Sequence, residues 1–194
     1  MFFLTKPSPA ALDRILADCA DAPLTYAEVG ATRSTLPAGY YVDRYDAELG
    51  RGAEVFARAR AAVDRFVMYP APWTEIHRTF EKLHEGALFV AVIRHMGFWS
   101  ANPARIIYTV DETGAETQRY GFALGTVAGH AETGEERFEV SWDTRTDVVS
   151  YRVVAFSRPY ELLARLGTPI ARALQRRFGR QSRQAMADAV STRP

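Results

Sequence analysis

The sequence predicts an α+β domain: an antiparallel sheet set between amphipathic helices, with the longest helix last. Three observations carry this. Apolar residues recur at three- and four-residue steps near both ends, at Leu12, Ile15, Leu16 and Cys19, and at Leu162, Leu163, Leu166, Ile170, Leu174 and Phe178. Between them the period falls to two, most cleanly at Phe138, Val140 and Trp142, which alternate with Arg137, Glu139 and Ser141. Turn signals separate these runs, so successive strands pair as hairpins. Helices outside such a run argue for an antiparallel sheet with helices on one face.

Residues 9–20 read as a short amphipathic helix that Pro23 ends. Residues 26–37, with Gly30, Ser34 and Pro37, form an irregular lead-in. Residues 40–45 alternate as a first strand, followed by Gly50 and Gly52. Residues 54–68 carry a broad apolar stripe (Val55, Phe56, Ala59, Ala62, Val63, Phe66, Val67) and predict a helix that Pro70 and Pro72 stop. Residues 87–93 are apolar on both faces, as in a strand covered from both sides. Asn102-Pro103 breaks the chain, and residues 104–110 follow as a strand. Asp111-Glu112-Thr113-Gly114 turns it into residues 118–127, and residues 136–143 and 148–156 make a further hairpin.

The final helix is predicted over residues 158–190. Ser157-Arg158-Pro159 suits its start, since a proline in the first turn removes an amide that has no partner there. Gly167-Thr168-Pro169 kinks or restarts it, with Thr168 as cap. No linker, repeat or low-complexity run divides the chain. All 194 residues read as one domain, with residues 1–36 as N-terminal helix and lead-in.

Composition narrows the function classes. Hydrophobic residues at 47% and charged residues at 24% are those of an ordinary globular protein. A net charge of +1 argues against nucleic-acid binding, which draws its affinity from many phosphate contacts. No apolar run approaches the roughly 20 residues of a membrane span, so no integral insertion is expected. Cys19 stands alone, so no disulfide can form within the chain. With a short N-terminus unlike a signal peptide, this places the protein in the cytoplasm. There is no nucleophile elbow, phosphate loop or paired-cysteine knuckle, and neither a cofactor nor a metal is expected.

Several motifs occur in order: Glu28-Val29-Gly30-Ala31-Thr32-Arg33, Leu36-Pro37-Ala38-Gly39-Tyr40, Tyr120-Gly121-Phe122-Ala123-Leu124-Gly125-Thr126, Gly129-His130-Ala131-Glu132, Gly134-Glu135-Glu136-Arg137-Phe138, Ala155-Phe156-Ser157-Arg158-Pro159 and Gln175-Arg176-Arg177-Phe178. Together they resemble uncharacterised protein family 0548 (domain of unknown function nineteen-ninety) over residues 24–188. Leu124 departs from the aromatic residue expected there. The family looks like a distant branch of the helix-grip proteins, the group of the birch-pollen allergen and the START lipid-transfer domains. The resemblance implies a curved antiparallel sheet wrapped around a long, kinked C-terminal helix, with short helices before the main sheet. It also implies a cavity between sheet and helix that holds an apolar ligand. It implies no reaction, and fold alone does not assign one.

The candidate residues follow. Gly121, Ala123 and Gly125 share one strand face. Either another backbone approaches them closely, which is preferred, or their missing side chains open a cavity. His130, Glu132, Glu135 and Glu136 form a polar cluster in a predicted turn. His130 and Glu136 are the acid–base candidates, with paired loop carboxylates as the ordinary alternative. Glu136 shares parity with Phe138 and Val140, so it points inward and needs a partner, which Arg105 or Arg158 could supply. Tyr108, Tyr120, Phe122, Trp142 and Tyr151 are expected to line the cavity, with Arg158 at a ligand carboxylate. Arg165, Arg172, Arg176 and Arg183 fall in one stripe of the last helix, read first as its solvated face.

Three functions follow, in order of preference. The first is binding of a hydrophobic or amphipathic small molecule between sheet and helix. The second is an enzyme, of hydrolase or cyclase type, using Glu136 or His130 in the same cavity. The third is an interaction module using the arginine stripe. A homodimer is left open.

Overall fold

The computed structural model describes residues 1–70, 72–95, 97–159 and 168–191. In chain order the elements are β1 (Phe2–Phe3), α1 (Pro9–Asp18), a 3-10 turn (Ala31–Arg33), β2 (Tyr41–Arg51), α2 (Ala53–Asp64), β3 (Thr74–Arg78), β4 (Leu88–Arg94), β5 (Trp99–Thr113), β6 (Thr117–Thr126), β7 (Glu132–Asp143), β8 (Val148–Pro159) and α3 (Thr168–Val190). Seven strands pair antiparallel in the order β2-β8-β7-β6-β5-β4-β3, and β1 adds to β5. The result is one curved antiparallel sheet with the last helix laid across it.

The concave face holds the main core. Phe66, Phe89, Phe122 and Phe138 stack in a continuous aromatic layer, with ring centroids 5.1–5.6 Å apart along Phe89–Phe66–Phe122–Phe138. Phe66 adopts a left-handed φ of 57°, which swings its ring into this layer as the chain leaves α2. Helix α3 closes over the same face. Its Phe178 meets Tyr69, Trp73 and Phe138, and its Ser182 lies 2.8 Å from the Tyr151 hydroxyl. Met186 and Val190 are buried against α2. At Gly179 a Cβ would stand 2.5 Å from the Tyr45 ring, so glycine is what lets α3 approach β2 so closely.

The convex face is covered too, which the expectation of helices on one face missed. Ser8 caps α1 and Pro9 opens it. The apolar stripe Leu12, Ile15, Leu16 and Cys19 packs on Val90, Val92, Ala101 and Val127. This is why β4 is apolar on both sides: Phe89 faces the aromatic layer, while Val90 and Val92 face α1. Cys19 is a small buried core residue, as its helix face suggested.

Two motifs take a different part from the one expected. Asn102-Pro103 does not break the chain: β5 runs through it, with Pro103 opposite Val90. The buried Asn102 amide donates to Ala91 O (3.2 Å) and Ser100 Oγ (2.9 Å), which ties the strand together beside the proline. Ser157-Arg158-Pro159 does not start the final helix. It ends β8, where Ser157 pairs with Tyr41 and Gly134, and Pro159 with Glu132; the last residues of a strand tolerate proline. Helix α3 begins at Thr168, the expected restart. Leu162, Leu163, Arg165, Leu166 and Gly167 lie outside the described residues.

The arginine stripe is partly spent on docking. Arg172 makes a bidentate pair with Asp43 of β2 (2.5 and 2.8 Å). Arg183 donates to Gly179 O and lies over Tyr45. Arg176 stays exposed, and Arg165 is outside the described residues. The stripe is therefore not one free surface.

Candidate functional site

Strand β7 decides where the polar residues go. Successive side chains of a strand point to opposite faces. The expected single cluster of His130, Glu132, Glu135 and Glu136 is thus divided, because β7 already begins at Glu132. Glu135 goes to the convex side, Glu132 and Glu136 to the concave side, and His130 stays in the turn.

Glu135 is 2% exposed and fully engaged. One carboxylate oxygen accepts from Tyr26 OH (2.9 Å) and Gly30 N (2.7 Å). The other accepts from Thr32 N (2.9 Å) and the Thr32 hydroxyl. Gly30, at φ 85°, lets the lead-in curl its amides around this charge. Burial and the adjacent carboxylate push the Tyr26 phenol up. Thr25 continues the attachment, its amide donating to Thr126 O (3.0 Å) and its hydroxyl 2.6 Å from Thr126 Oγ1. The motif at 28–33 and the motif at 134–138 meet in this clasp.

The clasp also accounts for Gly125 of β6. A Cβ on Gly125 would stand 2.5 Å from the Tyr26 hydroxyl, and one on Gly121 would collide with the Phe138 carbonyl oxygen. Gly125 yields to side chains of the crossing segment on the convex face and Gly121 to the backbone of the neighbouring strand β7, and neither opens space beneath the helix. Tyr108 is on that face as well, its hydroxyl 2.6 Å from Thr32 Oγ1 and its ring 3.6 Å under the Arg33 guanidinium. Arg158 stacks over Tyr40 on the same side, at 4.5 Å. Neither belongs to the concave face where a ligand cavity was expected.

The concave face is different around Glu136. Across three strands, Asp43, Ala155 and Glu136 stand in one row, with Leu124 next to Glu136 on β6. Ala155 puts almost no side chain between the two carboxyls, and Ser157 lies beyond it. Ala155, Ser157, Glu136, Tyr45 and Tyr69 all keep accessible surface, unlike the sealed aromatic layer beside them. The small concave-face residues beside Glu136 are those of β8.

Glu136 accepts no hydrogen bond among the described residues. Its two expected partners are occupied elsewhere: Arg105 donates to the carbonyls of Cys19 and Ala20, and Arg158 is on the convex side. Burial, then the nearby charges of Glu132 and Asp43, push its carboxyl up to about 8. Its charge in turn acts on Tyr45, Tyr69 and Tyr151. Its acidic neighbours are better provided. Asp43 holds Arg172, and Glu132 accepts twice from Gln175 Nε2 (2.6 and 2.8 Å), which also reaches Ser157 Oγ (3.2 Å).

His130 holds its Nδ1 3.0 Å from both the amide nitrogen and the carbonyl oxygen of Glu132, and burial pushes its imidazole down to about 4. It is a neutral turn residue and is not among the groups that shift Glu136. Of the residues expected to line a cavity, Tyr151 alone neighbours Glu136. Tyr120 donates to Asp64 of α2 (2.5 Å), Phe122 is fully buried, and Trp142 packs on Phe56 and donates to Asp147. Helix α2 fills that end of the sheet. Asp43, Tyr45, Tyr69 and Gln175 were missed, although β2 parity marks the first two as a same-face pair. An open groove of about 520 Å³ runs between the segment after α2 and α3, and Tyr69 forms part of its wall. Among the described residues no group of His, Cys, Asp or Glu could hold a metal ion, and no helix is long and apolar enough to cross a membrane.

Residues 25–185 match the family described as Domain of unknown function (DUF1990). The chain belongs to that family. A UPF0548 protein of Deinococcus radiodurans is 31% identical over 193 residues, covering 93% of this chain and 94% of the relative. One from Dictyostelium discoideum is 27% identical, covering 99% and 97%. The DUF1990 chain is also similar in structure to the di-domain ARO/CYC protein BexL (TM-score 0.53, 12% identity, covering 96% of this chain and 63% of that one). Ara h 8.0201 (TM-score 0.47, 12% identity, covering 78% and 98%) and human STARD10 (TM-score 0.41, 9% identity, covering 92% and 80%) resemble it as well. The curved antiparallel sheet closed by its last helix is the helix-grip architecture, and the likeness to BexL is one of fold alone.

Two substitutions at adjacent positions have opposite expected effects. Glu135→Ala removes the acceptor of four donors and leaves them buried. It should cost about 3–5 kcal/mol in urea unfolding. Glu136→Gln should do the reverse. A carboxyl whose folded value lies above its unfolded value stabilises fully below about pH 4.5, and that stability is lost as pH rises towards 8. The amide does not titrate, so the variant should be the more stable at pH 8, by on the order of 2–4 kcal/mol, with the difference gone near pH 4.5. Unfolding curves at both pH values check both expectations.

Proposed function

We propose that the chain binds an amphipathic small molecule under α3, on the patch of concave face formed by Ala155, Ser157 and Glu136. The observation that carries this is Glu136 itself: a half-buried carboxyl on the concave face, without a hydrogen-bond partner among the described residues, beside side chains that keep accessible surface. A carboxyl partly withdrawn from water and left without a donor is a group that a ligand could serve. Tyr45 and Tyr69 give the apolar wall, and a few polar groups give orientation, the usual make-up of a small-molecule site. The helix-grip fold supports the reading, since it sets a helix across a concave sheet.

A second reading shares the site. A carboxyl held at about 8 is poised to give and take a proton near neutral pH, as a general acid–base requires. An enzyme using Glu136 is therefore kept as the alternative, whereas His130, turned into its own loop, is not part of it.

Ala155→Phe would fill the space between Asp43 and Glu136 without touching the clasp or the aromatic layer. Binding of a neutral, polarity-sensitive dye such as Nile red should weaken at least tenfold, while the protein stays folded by circular dichroism. A dye affinity equal to that of the unsubstituted protein would remove the site from this patch.

A further inference from the structure

We infer that the chain has a second binding surface, apart from the concave face, and that it docks there on an anionic lipid bilayer. The surface is the corner formed by β1 and the β4–β5 hairpin. Leu4 and Phe2, 88% and 63% exposed, are the two most exposed large apolar side chains among the described residues, and Phe98 at the hairpin turn is exposed too. They form one cluster. Phe2 pairs with Ser100, which sets β1 against β5, and its ring meets Phe98 edge-on at 5.8 Å. The hairpin closes with His95 N donating to Phe98 O (2.8 Å), and the His95 ring stacks on Phe98 at 4.4 Å. The fold thus braces apolar side chains in water, and a clustered patch of that kind marks a contact surface.

Charge and layering identify the partner. Behind the apolar tip, Lys6 and Arg94 lie over the Trp99 ring, at 5.9 and 5.8 Å. Arg94 N donates to Trp73 O (2.8 Å), and the Arg177 guanidinium of α3 lies over Trp73 at 4.8 Å. Lys6 pairs with Glu75, whereas Arg94 and Arg177 make no ion pair among the described residues. Arg176 and Arg180, exposed and likewise without an ion pair there, carry the positive charge along the solvent side of α3. Such a surface attracts anions. The order of layers is that of a lipid leaflet: apolar side chains outermost for the acyl region, tryptophan at its boundary, and lysine and arginine at the depth of the phosphates. Leu4, Phe2 and Phe98 also project instead of lining a hollow. That suits a fluid phase that closes around them and asks for no matching pocket in a partner.

Co-sedimentation of the full chain with vesicles tests this. Vesicles of equal parts phosphatidylcholine and phosphatidylglycerol should bind about tenfold or more tighter than phosphatidylcholine alone, and the preference should shrink as salt is raised. Leu4→Asp alters a side chain almost wholly in water, so circular dichroism and melting temperature should stay as they are while vesicle binding weakens about tenfold. Arg94→Gln should weaken binding to the anionic vesicles and leave binding to phosphatidylcholine as it was. Equal binding to both vesicles overturns the choice of an anionic partner. Binding unchanged in Leu4→Asp removes this corner as the docking surface, and no binding to either vesicle overturns the proposal outright. A dimer seen by sedimentation velocity, and lost in Leu4→Asp, would give the corner to a second copy of the chain instead. None of these outcomes bears on the patch around Glu136, which the dye titration tests separately.

Discussion

Two neighbouring glutamates leave β7 in opposite directions, and the rest of the molecule is arranged around that fact. A strand allows no other outcome: once Phe138 and Val140 face the core, Glu136 must face it too, and Glu135 must face away. Each buried carboxylate then needs donors or must hold a proton. Glu135 is supplied with four donors by a lead-in that folds for the purpose. Glu136 is supplied with none among the described residues and holds its proton instead. The same chemical group is a fastener on one face and an open valence on the other.

The two faces consequently have different work. On the convex face, Gly30, Thr32 and Tyr26 converge on one charge, Gly125 yields space to the crossing segment, and α1 seals the adjoining strands. Nothing there is left unsatisfied at Glu135. On the concave face the aromatic layer fills the end under α2, while Ala155 and Ser157 keep the other end thinly covered. Helix α3 spans both regions. It is held at one end by Met186 and Val190 in the core and drawn onto β2 at Gly179 and Arg172.

Most of the fold was legible in the sequence because it rests on periodicity. The two-residue alternation of 136–143 marked β7 and its inward set, and the stripe of 54–68 marked α2. The doubly apolar strand at 87–93 required cover on both sides, yet which element would supply it was not readable, since α1 and β4 are far apart in the chain. Asn102-Pro103 read as a break because the side chain that supports the strand there acts across the sheet. Ser157-Arg158-Pro159 read as a helix start because a proline suits that position as well as it suits the end of a strand.

The site was less legible. Parity alone turned Glu136 inward, and that reading stands. The expected aromatic lining did not follow, because Tyr108 sits across the β5 bulge near Ile106 and falls on the convex face, while Tyr120 and Trp142 are claimed by α2. Asp43 and Tyr45 come to Glu136 only through the pairing of β2 with β8, a contact between segments over a hundred residues apart. The central claim is that Glu136 is an inward carboxyl that keeps its proton. Carboxyl carbon chemical shifts of the labelled protein, followed from pH 4 to 10, test it directly. One glutamate signal titrating near 8, and absent from Glu136→Gln, is the expected result; a Glu136 signal titrating near 4.5 would contradict it.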